Sequence, residues 1–165
     1  MTSVPDQPGD NRTGQFKQQR FLARCCAMQY LYQLDTQNSW DCSPEALELF
    51  REQLQDTLAE APLPSLKPSW RYACQLIQGV CSTHDQLDAL ICKAAQNWSL
   101  QRMGVVDRSI LRLSAYEIVH LPQVSAVTAI DEAVELGKRF GQADSPRFIN
   151  GVLDRIRKES AAPRS

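Results

Sequence analysis

Three basic side chains, Lys17, Arg20 and Arg24, stand at i, i+3 and i+7, the spacing of one stripe along a helix. Near the other end of the chain, Arg147 and Phe148 follow Ser145 and Pro146, two residue types that open helices. Cationic groups in a row neutralise phosphates, and a ring beside them can stack on a nucleobase. A helix N-terminus adds partial positive charge where an anion can dock. For Phe148 the plain alternative is a core aromatic, because apolar helix residues are mostly buried.

The charge distribution supports a polyanion-binding surface. The net charge is only −1, yet both ends of the chain are basic. Residues 11–34 hold Arg12, Lys17, Arg20 and Arg24 and no acid, whereas residues 35–101 hold nine acids against four bases. Residues 138–158 hold Lys138, Arg139, Arg147, Arg155, Arg157 and Lys158 against Asp144 and Asp154. If the fold brings the ends together, they form one basic patch. Taken singly, each run reads equally well as a solvated helix face.

Other chemistry finds little support. The chain contains no GxxxxGK[ST], GxGxxG, HExxH or GxSxG motif. His84 and His120 lie in no triad or ligand spacing and read as helix-end residues. The six cysteines, Cys25, Cys26, Cys42, Cys74, Cys81 and Cys92, form no CxxC pair, which argues against zinc. They read as reduced, mostly buried small residues. A redox switch at Cys25 and Cys26 would need a depressed thiol pKa. No cofactor or metal and no catalytic residue is expected. No apolar run approaches the roughly 20 residues of a membrane span. The polar start of the chain does not read as a secretory signal, so a cytoplasmic location is expected.

The elements that must position these groups all read as helices, with no sustained alternation and no hairpin turn. The first spans about residues 16–34, with Phe21, Cys25, Met28 and Tyr32 predicted as its apolar face. Ser43 and Pro44 open a second helix, with Leu47, Phe50, Leu54 and Leu58 on its apolar side. A Pro-rich break at 61–69 precedes a third helix at about 69–81. The fourth runs over about 85–98, with Leu87, Ile91, Ala94 and Trp98 predicted as its buried face. The fifth, about 106–120, is apolar almost all round and should be central. Glu117 falls in its buried stripe, so it needs a helix N-terminus or an arginine as partner. The sixth, about 125–140, is strongly amphipathic, and Gly141 is predicted to end it in a left-handed cap. Ser145 is predicted to cap the seventh.

Four blocks of this chain resemble the NusB family of transcription antitermination factors: RFLARCCAMQYLYQLD (residues 20–35), VVDRSILRLSAYE, AIDEAVELGKRFG and DSPRFINGVLDRI. They stand in that family's order and spacing and cover about a third of the chain; residues 36–93 resemble it only in being helical. The resemblance implies an all-α fold of about seven helices in two packed helical-bundle subdomains. The corresponding organisation is a flexible N-terminal arm at 1–15, one NusB-like domain at 16–160 divided into 16–83 and 84–160, and a tail at 161–165.

In function, the resemblance implies a binding protein and not an enzyme. It implies recognition of single-stranded boxA-type RNA in ribosomal RNA leaders, together with NusE, a protein of the small ribosomal subunit, on the RNA polymerase elongation complex. By position, Arg20 and Arg24 match the family's RNA-binding arginines, and Tyr32 a tyrosine near that surface. Asp144, Arg147 and Phe148 match its C-terminal part. With Lys17 from the basic stripe, these seven are the expected RNA-binding residues. Phe21 and Leu22 stand where the family often has arginines, so the cluster is thinner here. Two other readings remain: a protein–protein adaptor with little RNA binding, and a NusB-like domain related to ribosomal RNA cytosine methyltransferases.

Overall fold

A computed structural model of the chain describes residues 8–58 and 66–161. Among the described residues all regular structure is helical: α1 (Pro8–Gln37), α2 (Pro44–Leu58), α3 (Leu66–Ser82), α4 (His84–Ala94), a 3-10 turn (Leu100–Arg102), α5 (Val105–His120), α6 (Ala126–Phe140) and α7 (Ser145–Ala161). The all-α expectation with seven helices is met.

Local chemistry sets several boundaries, the one at Ser43 as predicted. Ser43 Oγ accepts from the Ala46 N–H at 3.2 Å, so it caps α2 with Pro44 at the first helical position. Ser125 Oγ accepts from the Thr128 N–H at 3.1 Å at the start of α6. Other boundaries differ. α1 begins at Pro8, inside the span expected to be a flexible arm; residues 1–7 lie outside the described residues. Most of the Pro-rich break also lies outside them, and α3 starts at Leu66, with Pro68 in its first turn, where a missing N–H is tolerated. Residues 162–165 of the tail are likewise outside. Gly141 ends α6 with φ −95°, in extended and not left-handed backbone. Ser145 does not cap its own helix: its buried hydroxyl accepts from the Gln142 N–H at 2.8 Å, and the Asp144 carbonyl takes the first helical bond, from Phe148 N–H at 3.1 Å.

α5 is the central element, packed against α1, α3, α4, α6 and α7. Ile110, Leu111, Leu113 and Ala115 are fully buried along it. The α1–α3 and α4–α7 halves thus share one hydrophobic cluster, and the division expected near residue 83 falls in the turn between α3 and α4. Gly79 lets α3 approach α5, because a Cβ there would overlap the Tyr116 ring. Asp35, at the end of α1, is gripped by Arg108 at 2.5 and 2.6 Å and by Arg112 at 2.7 Å; Arg112 also reaches Asp88 at 2.8 Å. These bonds tie α1, α4 and α5 at one end of the molecule.

Of the face that periodicity picks out on α1, only Met28 is buried. Ala23, Ala27, Leu31 and Leu34 face the core, Phe21 and Cys25 are half-buried, and Tyr32 is 41% exposed. The small residues Ala23 and Ala27 let the neighbouring helices come close, and the larger side chains flank that contact. The cysteines also need correcting. Cys42, before α2, and Cys81, in the last turn of α3, form a disulfide with Cα atoms 6.8 Å apart. Their proximity is tertiary and invisible in a separation of 39 residues. Cys25 and Cys26 remain thiols, but burial pushes them up to about 11 and about 12, away from the thiolate that redox switching requires.

Candidate nucleic-acid interface

The basic stripe of α1 continues the helix's buried stripe. Arg24, Ala27, Leu31 and Leu34 follow one another at helical spacing, so moving from Lys17 through Arg20 to Arg24 leads from solvent into the core. Lys17 is exposed, Arg20 is half-buried and Arg24 is only 3% exposed.

Arg24 is bound inside the fold. Its Nε donates to both oxygens of Glu117 at 2.9 and 3.2 Å, its Nη2 donates to one of them at 2.7 Å, and Glu132 stands 3.9 Å away. Tyr72 Oη donates to the same Glu117 carboxylate at 2.6 Å. Burial alone would lower the Arg24 pKa, but the bonds and charge of Glu117 outweigh it and keep the guanidinium charged. Burial and the neighbouring carboxylate push the Tyr72 phenol up. The guanidinium thus spends its Nε and Nη2 donors on Glu117 at the floor of the groove that Lys17 and Arg20 also line. Arg24 supplies the arginine partner that the buried position of Glu117 calls for.

Arg20 faces outward from this cluster. Its guanidinium lies over the Tyr72 ring at 3.8 Å and the Phe16 ring at 4.8 Å, and Phe16 is 56% exposed. Cation–π contact orients the group without consuming its donors. With Lys17 and the start of α6 (Ser125, Thr128), it lines a groove of about 620 Å³.

The C-terminal group builds a second groove, of about 590 Å³, between the end of α4, the 3-10 turn and α7. Asp144, Arg147 and Phe148 line it, Asp144 and Arg147 exposed and Phe148 half-buried against the core. Three residues not foreseen as site residues join them: Trp98, Arg102 and Arg155. Trp98 was predicted on the buried face of the fourth helix. That helix stops at Ala94, so the periodicity overran its end, and Trp98 is 54% exposed. The available signal was Asn97 just before it, a residue type that tolerates left-handed backbone.

The two grooves belong to one surface. A smaller hollow between α6 and α7 shares Asp131 with the first groove and Arg147 with the second, and Lys138 lines it. The basic ends of the chain thus meet along a strip running from Lys17 and Arg20 past Lys138 to Arg147 and Phe148. Asp131 and Glu135 interrupt the positive charge. Tyr32 lines none of these hollows. It lies twelve residues along α1 from Arg20, about 18 Å at the helical rise. The strip offers phosphate-binding cations and exposed rings, the two parts of a single-strand nucleic-acid surface.

Comparison with known proteins identifies the family. The NusB family model matches residues 22–158. A transcription antitermination protein NusB from Elusimicrobium minutum (strain Pei191) is 42% identical over 141 residues, 85% of this chain and 94% of that protein. One from Myxococcus xanthus (strain DK1622) is 38% identical over 130 residues, 79% of this chain and 88% of that protein. Among solved structures, T. maritima NusB superposes with a TM-score of 0.72 at 33% identity, over 87% of this chain and 93% of that one. A complex of the antitermination factors NusB and NusE with dsRNA superposes with a TM-score of 0.68 at 28% identity, over 86% of this chain and 97% of that one.

Proposed function

Because this chain belongs to the NusB family, we propose that it is an RNA-binding transcription antitermination factor. It binds a boxA-type segment of ribosomal RNA leaders together with NusE and acts on the elongating RNA polymerase complex, in the cytoplasm, without catalytic turnover. The observation that carries this reading is the strip of cations and rings that links Lys17 to Phe148, interrupted by Asp131 and Glu135.

Lys17, Arg20 and Arg147 contact phosphates. Phe148 stacks on a base, and the exposed Asp144 carboxylate beside it accepts from donors on a base edge. Arg24 acts inside the fold: its pairing with Glu117 fixes α1 on α5 and so sets where Lys17 and Arg20 point. Tyr32 lies off the strip and takes no part in stacking. The solved complex of relatives holds dsRNA. The half-buried and exposed rings of this strip favour unstacked bases, so a single strand is assigned here.

With Arg24 buried, only Lys17 and Arg20 of the basic stripe face solvent. That favours a protein whose affinity for RNA depends on its partner, since a second surface held beside the first raises the effective concentration. A filter-binding titration with a boxA-type single strand, with and without NusE, tests the proposal. Binding should occur and tighten markedly with NusE, and duplex RNA of the same sequence should compete weakly. Failure to bind in either condition would overturn the RNA reading, and failure of the two proteins to associate would remove NusE.

A further inference from the structure

Trp98 is an indole more than half exposed on a short connection whose backbone is unusual. The two residues before it, Gln96 and Asn97, have φ of 55° and 65°, in the left-handed region that non-glycine residues rarely enter. The surrounding structure holds them there. The Asn97 N–H donates to the Cys92 carbonyl at 2.8 Å and the Trp98 N–H to the Ala95 carbonyl at 3.1 Å. Arg155 Nη1, from α7, donates to the Ala94 carbonyl at 3.0 Å and so pins the end of α4. After Trp98, Ser99 Oγ accepts from the Gln101 N–H at 3.2 Å and caps the 3-10 turn. Strained, over-determined backbone that presents a large apolar ring to water points to function, because burial would be the favourable fate of that ring.

The ring does not stand on a bare apolar patch. It lines the groove that also holds Phe148, Arg102, Arg147 and Arg155, so three cations and two aromatic side chains surround one cleft. Asp107 and Asp144 line the same cleft and Arg155 is engaged with Ala94, but an apolar partner would still leave Arg102 and Arg147 without an anion from its side. A strand of phosphates and π-faced bases matches both.

Resting on the RNA reading above, we infer that Trp98 is a second base-stacking platform, which with Phe148 makes this groove hold at least two unstacked nucleotides of a single strand. Arg102, the last residue of the 3-10 turn, is the phosphate contact between them, and Arg155 positions the Trp98 connection. Selectivity for single strands follows, because paired bases offer no free faces to two separate rings.

The test uses the full chain with NusE and a boxA-type single-stranded RNA in which one nucleotide at a time is made abasic. Trp98→Ala should weaken binding roughly fivefold or more, the lower end for base–aromatic stacking, and Trp98→Phe should stay close to wild type. The slope of log affinity against log salt should not change in Trp98→Ala, because no phosphate contact is lost. One abasic position should weaken wild type yet leave the Trp98→Ala variant no weaker than before. Quenching of tryptophan fluorescence by RNA should diminish in Trp98→Phe. If wild type binds the RNA and Trp98→Ala binds it equally well, or no abasic position couples to Trp98, the assignment is wrong while the RNA reading stands. Loss of NusE affinity without RNA would assign Trp98 to the protein contact instead. Absence of RNA binding by wild type overturns the RNA reading itself, and this inference with it.

Discussion

Arg24 and Glu117, 93 positions apart in the chain, meet through a guanidinium fork onto a fully buried carboxylate, with the Tyr72 hydroxyl as a third partner. The pair joins α1 to α5 and sits one helical turn below the solvent-facing Arg20. A carboxylate with no exposure cannot lose its cation cheaply. Arg24→Ala should therefore cost about 3–5 kcal/mol of stability, the range for breaking a buried pair. Glu117→Gln should also destabilise strongly. The double variant Arg24→Met with Glu117→Leu should lose less than the sum of Arg24→Met alone and Glu117→Leu alone. Urea unfolding of the cycle measures this, and strict additivity would refute the coupling.

Arg20 and Arg24 should behave oppositely although both belong to the same basic stripe. Each phosphate contact on a single strand contributes about −0.7 to the slope of log affinity against log salt. Lys17→Ala with Arg20→Ala should flatten that slope by about 1.4 and leave the unfolding midpoint nearly unchanged. Arg24→Ala should lower the midpoint and leave the slope of its folded fraction as in wild type. Equal slopes for wild type and the Lys17/Arg20 variant would remove these residues from the phosphate contacts.

Asp35 predicts the acid limb of stability. Burial alone would raise its pKa, but the hydrogen bonds and charges of Arg108 and Arg112 outweigh burial and hold it below the ordinary carboxylate value. In the unfolded chain the same group titrates near about 3.9. The unfolded state thus takes up the proton first as pH falls. The stabilisation is fully present above about pH 4 and is lost as pH drops through the folded value. Asp35→Asn should be less stable than wild type at neutral pH, and the gap should narrow at roughly pH 3. A gap independent of pH, measured by denaturant titration at both values, would show that Asp35 carries no such linkage.

Much of the architecture was legible because its signals are local. Ser43 with Pro44 is short-range capping chemistry, and the structure realises it. The apolar circumference of α5 announced its central place, and the buried position of Glu117 announced a partner, a helix N-terminus or an arginine, of which the structure supplies the arginine. The misreadings share a different cause, which is that packing decides what periodicity leaves open. On α1, two alanines permit close approach and turn the buried face toward Arg24. Trp98 continues the rhythm of α4 beyond the residue where the helix ends. Cys42 and Cys81 are brought together only by the packing of distant segments. For the strip itself, charge counting could name its two basic ends, but only the packing of α1, α6 and α7 lays them side by side.

Phe148 decides whether the C-terminal groove is a binding site or merely an edge of the core. It is half-buried, packs against the hydrophobic cluster and lines the groove beside Arg147. Full burial would make Phe148→Ala cost about 3–5 kcal/mol in stability. A stacking role would make it cost about 1–3 kcal/mol in RNA binding. With part of the ring in each environment, stability should fall by less than the full core value. RNA affinity should fall roughly tenfold, which corresponds to about 1.4 kcal/mol. Phe148→Leu separates the two contributions, because leucine restores most of the apolar packing but offers no π-face. It should recover most of the stability and little of the RNA affinity. Recovery of both together in a combined unfolding and RNA titration would mean that Phe148 acts through packing alone and would falsify its place in the interface.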